Sequence, residues 1–251
     1  MDTLLLLNQT NFSKSNWWKL KINTIGYKDE LGYQIVTEIA KNRCFRIVEE
    51  DLKRKNHKFK SRYLVQLFED GYLCWINIQG LEIERCSNYF QKRFLCDELF
   101  IQNKIPFILD WIVLQSKKLN NYKWGGTLGP DFDCSGLIQA AFMLQEIYIP
   151  RDSFQMMRFC RHLFNFPGKT DQLKMGDLLF FGDNNLCNHV AIYYQDGIYY
   201  HSSGVEFGRN GISKENLYES QDDDKTSRYY RSKLICAGRV TRSYLWNKTL
   251  R

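Results

Sequence analysis

The chain has 251 residues, of which 44% are hydrophobic and 25% charged, enough to bury one large core or two ordinary ones and too apolar for wholesale disorder. The apolar run Leu4 to Leu7 cannot span a bilayer, and Asp2 and Asn8-Gln9 around it do not suit an export signal, so the sequence reads as a cytoplasmic protein with no membrane partner. Its eight cysteines are scattered, as expected of mostly reduced, buried thiols. The net charge of +7 is partly local: Lys53, Arg54, Lys55, Lys58, Lys60 and Arg62 crowd ten positions, with Asp222-Asp223-Asp224 as an acidic counterweight. Only Phe59 interleaves the basic cluster, so it reads as a solvated loop between strands and not as a nucleic-acid site.

The first third reads as short strands. Cys44 to Val48 is one apolar-rich run; Tyr63 to Phe68 and Tyr72 to Ile78 are two more, joined by Glu69-Asp70-Gly71. Three residues ending in Gly suit a hairpin whose last loop residue is left-handed. Short strands joined by turns predict a small β-barrel over residues 1–85. Residues 86–104 are unperiodic and read as a linker to a second domain over 105–251. Pro106 suits a first helical turn, and Ile105, Ile108, Leu109, Ile112 and Val113 repeat as one helical face, with Lys117 and Lys118 at its end. The glycine-bearing stretch Tyr122 to Pro130 must be loop, and a second helix starts near Asp133 with Cys134, Leu137, Ile138, Ala141 and Leu144 on one face. Strands come next at Leu178 to Phe181, His189 to Tyr194, Ile198 to His201 and Leu234 to Val240. Helices followed by a meander of strands make an α+β arrangement.

Chemistry centres on Cys134. Asp133 is a natural N-cap, which puts Cys134 in the first helical turn, where free amides and the dipole favour a thiolate and can hold a developing oxyanion. A buried cysteine acting as a small hydrophobe is the alternative. His189 and His201 lie on two strands separated by Gln195-Asp196-Gly197. A two-residue turn, Asp196-Gly197, sets His201 opposite Ile192 and sends His189 to the other sheet face. A three-residue loop ending at Gly197 sets His201 opposite Ala191, with His189 its diagonal neighbour on the same face. In the second geometry Cys134 attacks, His189 moves the proton, and His201 orients His189 by accepting its Nδ1–H bond. Cys160-Arg161-His162 and Cys187-Asn188-His189 carry zinc-type ligands, but Cys-x-His lacks the usual gap, and the segment around Cys160 reads as a helix on which residues two apart diverge. No metal is expected.

Four blocks in order resemble the signature of the NlpC/P60 cysteine peptidases. They are Trp124-Gly125-Gly126 with Asp133-Cys134-Ser135-Gly136-Leu137-Ile138, then Gly176-Asp177-Leu178-Leu179-Phe180-Phe181, then His189-Val190-Ala191-Ile192-Tyr193, then Tyr200-His201-Ser202-Ser203. The resemblance implies a papain-like core and a catalytic set of Cys134, His189 and His201. The N-terminal third is similar, less specifically, to the SH3-like domains that precede it in many members. In the subgroup that cleaves γ-D-glutamyl–diamino acid bonds of murein peptides, a barrel tyrosine faces the nucleophile, and the matching position is Tyr72. Arg151-Asp152-Ser153-Phe154-Gln155 resembles that subgroup's amine-binding segment, which assigns Asp152, Ser153, Asp133 and Ser135 to a pocket for the free N-terminus of L-Ala. The resemblance therefore implies a cofactor-free cysteine endopeptidase that recycles murein peptides inside the cell. A different acyl chemistry on the same core (an amidase or acyltransferase) and a wall-peptide binder without catalysis are the rival expectations.

Overall fold

Short antiparallel strands build the first of two compact units, which ends at Arg93; the second runs from Phe94 to Tyr244. The computed structural model describes residues 17–48, 62–86, 96–166, 170–184, 186–219 and 224–244. In the first unit, β1 (Trp18–Leu20), β2 (Thr24–Tyr27), β3 (Ile35–Ile39), β4 (Cys44–Ile47), β5 (Arg62–Leu67), β6 (Leu73–Asn77) and β7 (Ile83–Arg85) form one sheet in the order β3-β2-β6-β5-β4-β1-β7. Trp18, Leu20, Ile39, Phe45, Val65, Leu67, Ile76 and Ile83 fill its core. β4, β5 and β6 lie where the apolar runs predict strands. The β5–β6 loop is one residue longer than expected, because Leu67 N–H pairs with the Tyr72 carbonyl and leaves Phe68 to Gly71 as the turn. Gly71 is left-handed there (φ 69°), as its position demands. Of the basic cluster, Lys53 to Lys60 lie outside the described residues; Arg62 places its guanidinium 3.5 Å over the Tyr27 ring.

The turn is held by buried charge. Glu69 accepts from Arg43 Nε at 3.1 Å and from the Cys44 amide at 2.9 Å, and Arg43 Nη2 reaches Asp70 at 2.8 Å. All three side chains are almost wholly buried. Ions out of water cost several kcal/mol each, which only such mutual pairing offsets.

The first helix of the second unit opens about two turns earlier than the sequence predicts. Helix α1 runs Glu98–Ser116, capped by Asp97, whose side chain accepts the Phe100 amide. Helix α1 therefore begins within the stretch 86–104 that reads as a linker. The apolar face continues backward from Ile105 to buried Ile101, and that burial outweighs the cost of Pro106 inside the helix, which removes one intrahelical donor. Helices α2 (Cys134–Met143), α3 (Ser153–Phe159) and α4 (Lys225–Lys233) accompany a sheet of β8 (Arg161–Asn165), β9 (Leu178–Asp183), β10 (Leu186–Gln195), β11 (Ile198–Ser203), β12 (Gly211–Asn216) and β13 (Leu234–Arg239). The order is β12-β11-β10-β9-β13-β8, antiparallel throughout.

Alternation along the central strands divides the core in two. Leu178, Phe180, Val190 and Ile192 pack with α1 and α2, whereas Leu179, Phe181, Ala191, Tyr193 and Tyr199 pack with Tyr230 of α4. The apolar pattern does not predict α4, β8 or β12. The helical reading around Cys160 holds only to Phe159: Cys160 is extended, and His162 is an exposed residue of β8 opposite Gly238. No helix among the described residues is long and apolar enough to cross a membrane.

Replacing Arg43 by Ala leaves two buried carboxylates facing each other in the first unit. We expect a loss of about 3–5 kcal/mol in that unit's stability, read as an earlier urea transition in tryptophan fluorescence of the full chain.

Candidate active site

The nucleophile candidate is positioned by one carboxylate. Asp133 is the N-cap of α2 (ψ 176°) and accepts the Gly136 amide at 2.6 Å. It also accepts the Gly125 amide at 2.8 Å and the Ser135 hydroxyl at 3.2 Å, and Arg151 pairs with both its oxygens at 3.1 and 2.5 Å. The Arg151 Nη1 donates as well to Ser135 Oγ at 2.8 Å. Asp133, Ser135 and Arg151 are thus spent on one another, and the amide bonds hold the 122–126 loop against the start of α2. Sequence reasoning gives Arg151 no role of its own; a basic residue directly beside a short helix start is the signal that could have marked it.

The loop comes so close that only glycine fits at position 136. A Cβ there would lie 2.0 Å from the Gly126 carbonyl oxygen, the same oxygen that takes the Asp133 amide. The Cys-Ser-Gly order therefore has a steric cause.

Cys134 begins α2 and is 7% exposed. Its sulfur receives hydrogen bonds from the amides of Val190 and Ser135. Burial and the Asp133 charge nevertheless push the thiol up to about 12, against those amides and Arg151. The helix start does not by itself yield a thiolate, contrary to the expectation from the dipole. A neighbouring base has to take the proton as the sulfur reacts.

Val190 is the residue after His189, so the amide bond docks the sulfur beside that imidazole's own strand segment. His189 and His201 are both buried, and His189 Nε2 lies 2.8 Å from His201 Nδ1 with the rings nearly perpendicular. Each expected register contributes something. Asp196 and Gly197 form a two-residue turn with φ of 51° and 80°, which closes the hairpin with Gln195 opposite Ile198. An irregularity at Tyr194 then shifts the pairing, so that Ile192 faces Tyr200 and Tyr193 faces Tyr199. This brings His201 into line with Ala191 and puts both imidazoles on one face. The nitrogen engaged is Nε2 of His189, not the Nδ1 expected, which leaves Nδ1 as the atom open to proton exchange.

An aromatic box encloses the pair. The Tyr230 ring centroid is 4.7 Å from His189 and 4.5 Å from His201, and Phe181 lies 5.7 Å from His189, which it opposes across the sheet. Tyr230 is also electrostatically coupled to the Cys134 sulfur, as is Tyr122. Burial, with the neighbouring His201, drives His189 well below its ordinary 6.5. His201 is likewise lowered by burial, against the upward pull of Glu215. At neutral pH both rings are uncharged. Tyr230 escapes sequence reasoning because α4 has only a weak apolar stripe; Asp224 as a helix cap is the available clue.

The remaining predicted residues are more scattered. Asp152 is the half-buried N-cap of α3, its amide answered by Gln155 Oε1 at 3.5 Å, and Ser153 is buried with its hydroxyl on Cys187. Cys187 in turn donates to the His189 carbonyl at 3.5 Å. Tyr72 belongs to the first unit, where its amide bonds Asp70 Oδ1 at 3.0 Å and its ring packs on that unit's core. Among the described residues no group of three or more His, Cys, Asp or Glu gathers as a metal site.

Residues 119–231, which hold Cys134, both imidazoles and Tyr230, match the model of the NlpC/P60 family. This stretch is similar to NlpC/P60 domains. The chain is 35% identical over 157 residues to the dipeptidyl-peptidase 6 of Lysinibacillus sphaericus, covering 61% of this chain and 49% of that protein. It is 36% identical over 88 residues to a γ-D-glutamyl-L-lysine dipeptidyl-peptidase of Bacillus cereus, covering 34% of this chain and 25% of that one. The chain thus spans half or less of the length of these relatives. An NlpC/P60 family protein of Bacillus cereus aligns over 90% of this chain and 63% of its own, at 21% identity and a TM-score of 0.43.

Gly136→Ala should force the Gly126 loop off α2. Both the melting temperature and the rate at which iodoacetamide alkylates Cys134 should fall, the latter about tenfold or more, followed by peptide mapping of the eight cysteines.

Proposed function

We propose that the chain is a cysteine peptidase that cleaves the γ-D-glutamyl–diamino acid bond of murein peptides bearing a free N-terminal L-Ala. The observation that carries this reading is the Cys134 sulfur bonded to the amide next to His189, whose far nitrogen is held by His201 at 2.8 Å. The relative named for γ-D-glutamyl-L-lysine supports the substrate class.

In this mechanism the Cys134 thiol gives its proton to His189 Nδ1 as the sulfur attacks the γ-carbonyl of D-glutamate. Helix-start amides that Asp133 does not engage hold the oxyanion. His189 returns the proton to the departing amine, and a thioester remains. Water, deprotonated by the same nitrogen, then releases the acid and restores the thiol. His201 orients His189, and Tyr230 covers the pair from water. No cofactor enters the scheme.

Asp152 is the carboxylate assigned to the substrate's ammonium, since Asp133 is already paired with Arg151. Within the same reading the first unit is an SH3-like domain. Eight free thiols suit a reducing compartment, and a site that needs an unblocked L-Ala suits released fragments, so we assign the activity to recycling in the cytoplasm.

Incubation with L-Ala-γ-D-Glu-L-Lys and with its N-acetylated analogue tests the proposal by mass spectrometry. The free peptide should be cut after D-Glu, with kcat/KM lowered about 100-fold for the blocked one, whose acyl group leaves a carboxylate unpaired. Equal cleavage of both, or of neither, would refute it. Cys134→Ala should abolish turnover. Asp152→Asn should raise KM for the free peptide about tenfold with kcat largely kept, because it removes binding shared by ground and transition states.

A further inference from the structure

A neutral imidazole pair can be hydrogen-bonded in either of two directions. In one, His189 Nε2–H donates to His201 Nδ1 and His189 Nδ1 carries a lone pair. In the other, His201 Nδ1–H donates to His189 Nε2, the only proton of His189 then sits on Nδ1, and the ring cannot act as a base. The 2.8 Å contact is compatible with both. Something beyond the pair has to choose.

The far nitrogen of His201, Nε2, is fully buried and has no hydrogen-bond partner. The nearest charge is Glu215 Oε1, at 3.7 Å, on a side chain 1% exposed. Glu215 lies on β12 opposite Tyr199, one pleat from Ser213, which opposes His201, so it shares their sheet face. It is held there by a shell of its own. Arg209 donates from Nε at 2.7 Å and from Nη2 at 3.0 Å, Ser227 of α4 donates at 2.7 Å, and Ser213 lies at 3.2 Å. Asp224, the cap of α4, pairs with Nη2 of Arg209, the same nitrogen that donates to Glu215. A buried carboxylate with this many donors stays ionised: burial alone would raise its pKa, but the hydrogen bonds from Arg209 and Ser227, with the nearby His201, bring it below the ordinary glutamate value. The peptidase mechanism leaves this residue without a part.

We propose that Glu215 is a positioning residue that sets the direction of the imidazole–imidazole bond. Its fixed negative charge draws the single proton of His201 to Nε2. His201 Nδ1 is then an acceptor, His189 must donate from Nε2, and the lone pair of His189 falls on Nδ1, the atom that the proposed mechanism uses as the base. At 3.7 Å the contact is long for a direct hydrogen bond, so the carboxylate acts through its charge, in a setting where burial leaves that charge weakly screened. Arg209 is required to keep the carboxylate ionised and aimed, while Asp224 restrains Arg209. This rests on the peptidase reading for its consequence, but the tautomer itself can be observed without turnover.

The decisive measurement is the two-bond nitrogen–proton correlation spectrum of the full chain labelled with 15N-histidine, at pH 7.5. The expected result is that both His189 and His201 carry their proton on Nε2. A spectrum in which His201 carries it on Nδ1 overturns the inference and needs no variant. Glu215→Gln, which keeps the shape and removes the charge, should shift the pair toward the Nδ1–H form and lower kcat at least tenfold with KM within about twofold. It should also slow iodoacetamide alkylation of Cys134 in proportion across pH 6–9, where Arg209, Asp224 and Tyr199, the charged and titratable groups beside Glu215, do not change state. Glu215→Asp should recover part of the rate. A Gln variant with wild-type kcat and wild-type tautomers would overturn the role of Glu215 while leaving the peptidase reading intact. A wild-type chain that neither cleaves the peptide nor alkylates rapidly would instead remove the peptidase reading.

Discussion

Asp133 bears on the whole site because a single buried carboxylate closes three segments on one another. It ends the 122–126 loop through the Gly125 amide, starts α2 through Gly136, and fixes the approach to α3 through Arg151. An unpaired carboxylate at 5% exposure would be prohibitive, and the guanidinium makes the arrangement permissible. The sulfur one residue further on is thereby placed before any substrate arrives. The same carboxylate works against ionisation of that sulfur, and Arg151 only partly offsets it. The scaffold gives up thiolate character in exchange for a fixed position, which transfers the proton problem to the imidazoles.

The imidazoles are suited to that task by what surrounds them. Phe181, Tyr199 and Tyr230 form walls that disfavour a charged ring, so His189 rests neutral and able to accept. In the proposed mechanism, proton transfer from sulfur to nitrogen creates an ion pair inside a low-dielectric box, where the two new charges stabilise each other more than they would in water.

Much of this is legible in the chain. Cys134, His189 and His201 are rare residue types at places where a helix start and two strands can be inferred, and glycines flag the loop beside them. The central strands β9, β10, β11 and β13 of the second unit follow their apolar runs, since a strand buried on both faces leaves a continuous hydrophobic trace, whereas the outer β8 and β12 leave none. What stays hidden has a common physical character. Glu215 is a charge in a buried strand position, and Arg151 a charge beneath a loop; patterns of hydrophobicity register neither. Tyr230 reaches the site from α4, a helix distant in sequence whose stripe is mostly small and polar. The start of α1 is misplaced because Pro106 looks like an N-terminal signal, when tertiary burial of Ile101 decides the matter. The His189 nitrogen is misassigned because ring orientation depends on where the partner ring lies, which no spacing records.

The irregularity at Tyr194 has a wider implication. A tight two-residue turn alone would have sent the two imidazoles to opposite sides of the sheet, and one displaced residue in the strand cancels the parity of the turn. Turn and bulge therefore form a matched pair that must change together if they change at all. Single-residue insertions at the tip of this hairpin, ordinarily among the most tolerated lesions in a surface loop, would here separate the paired imidazoles while leaving both side chains in the sequence.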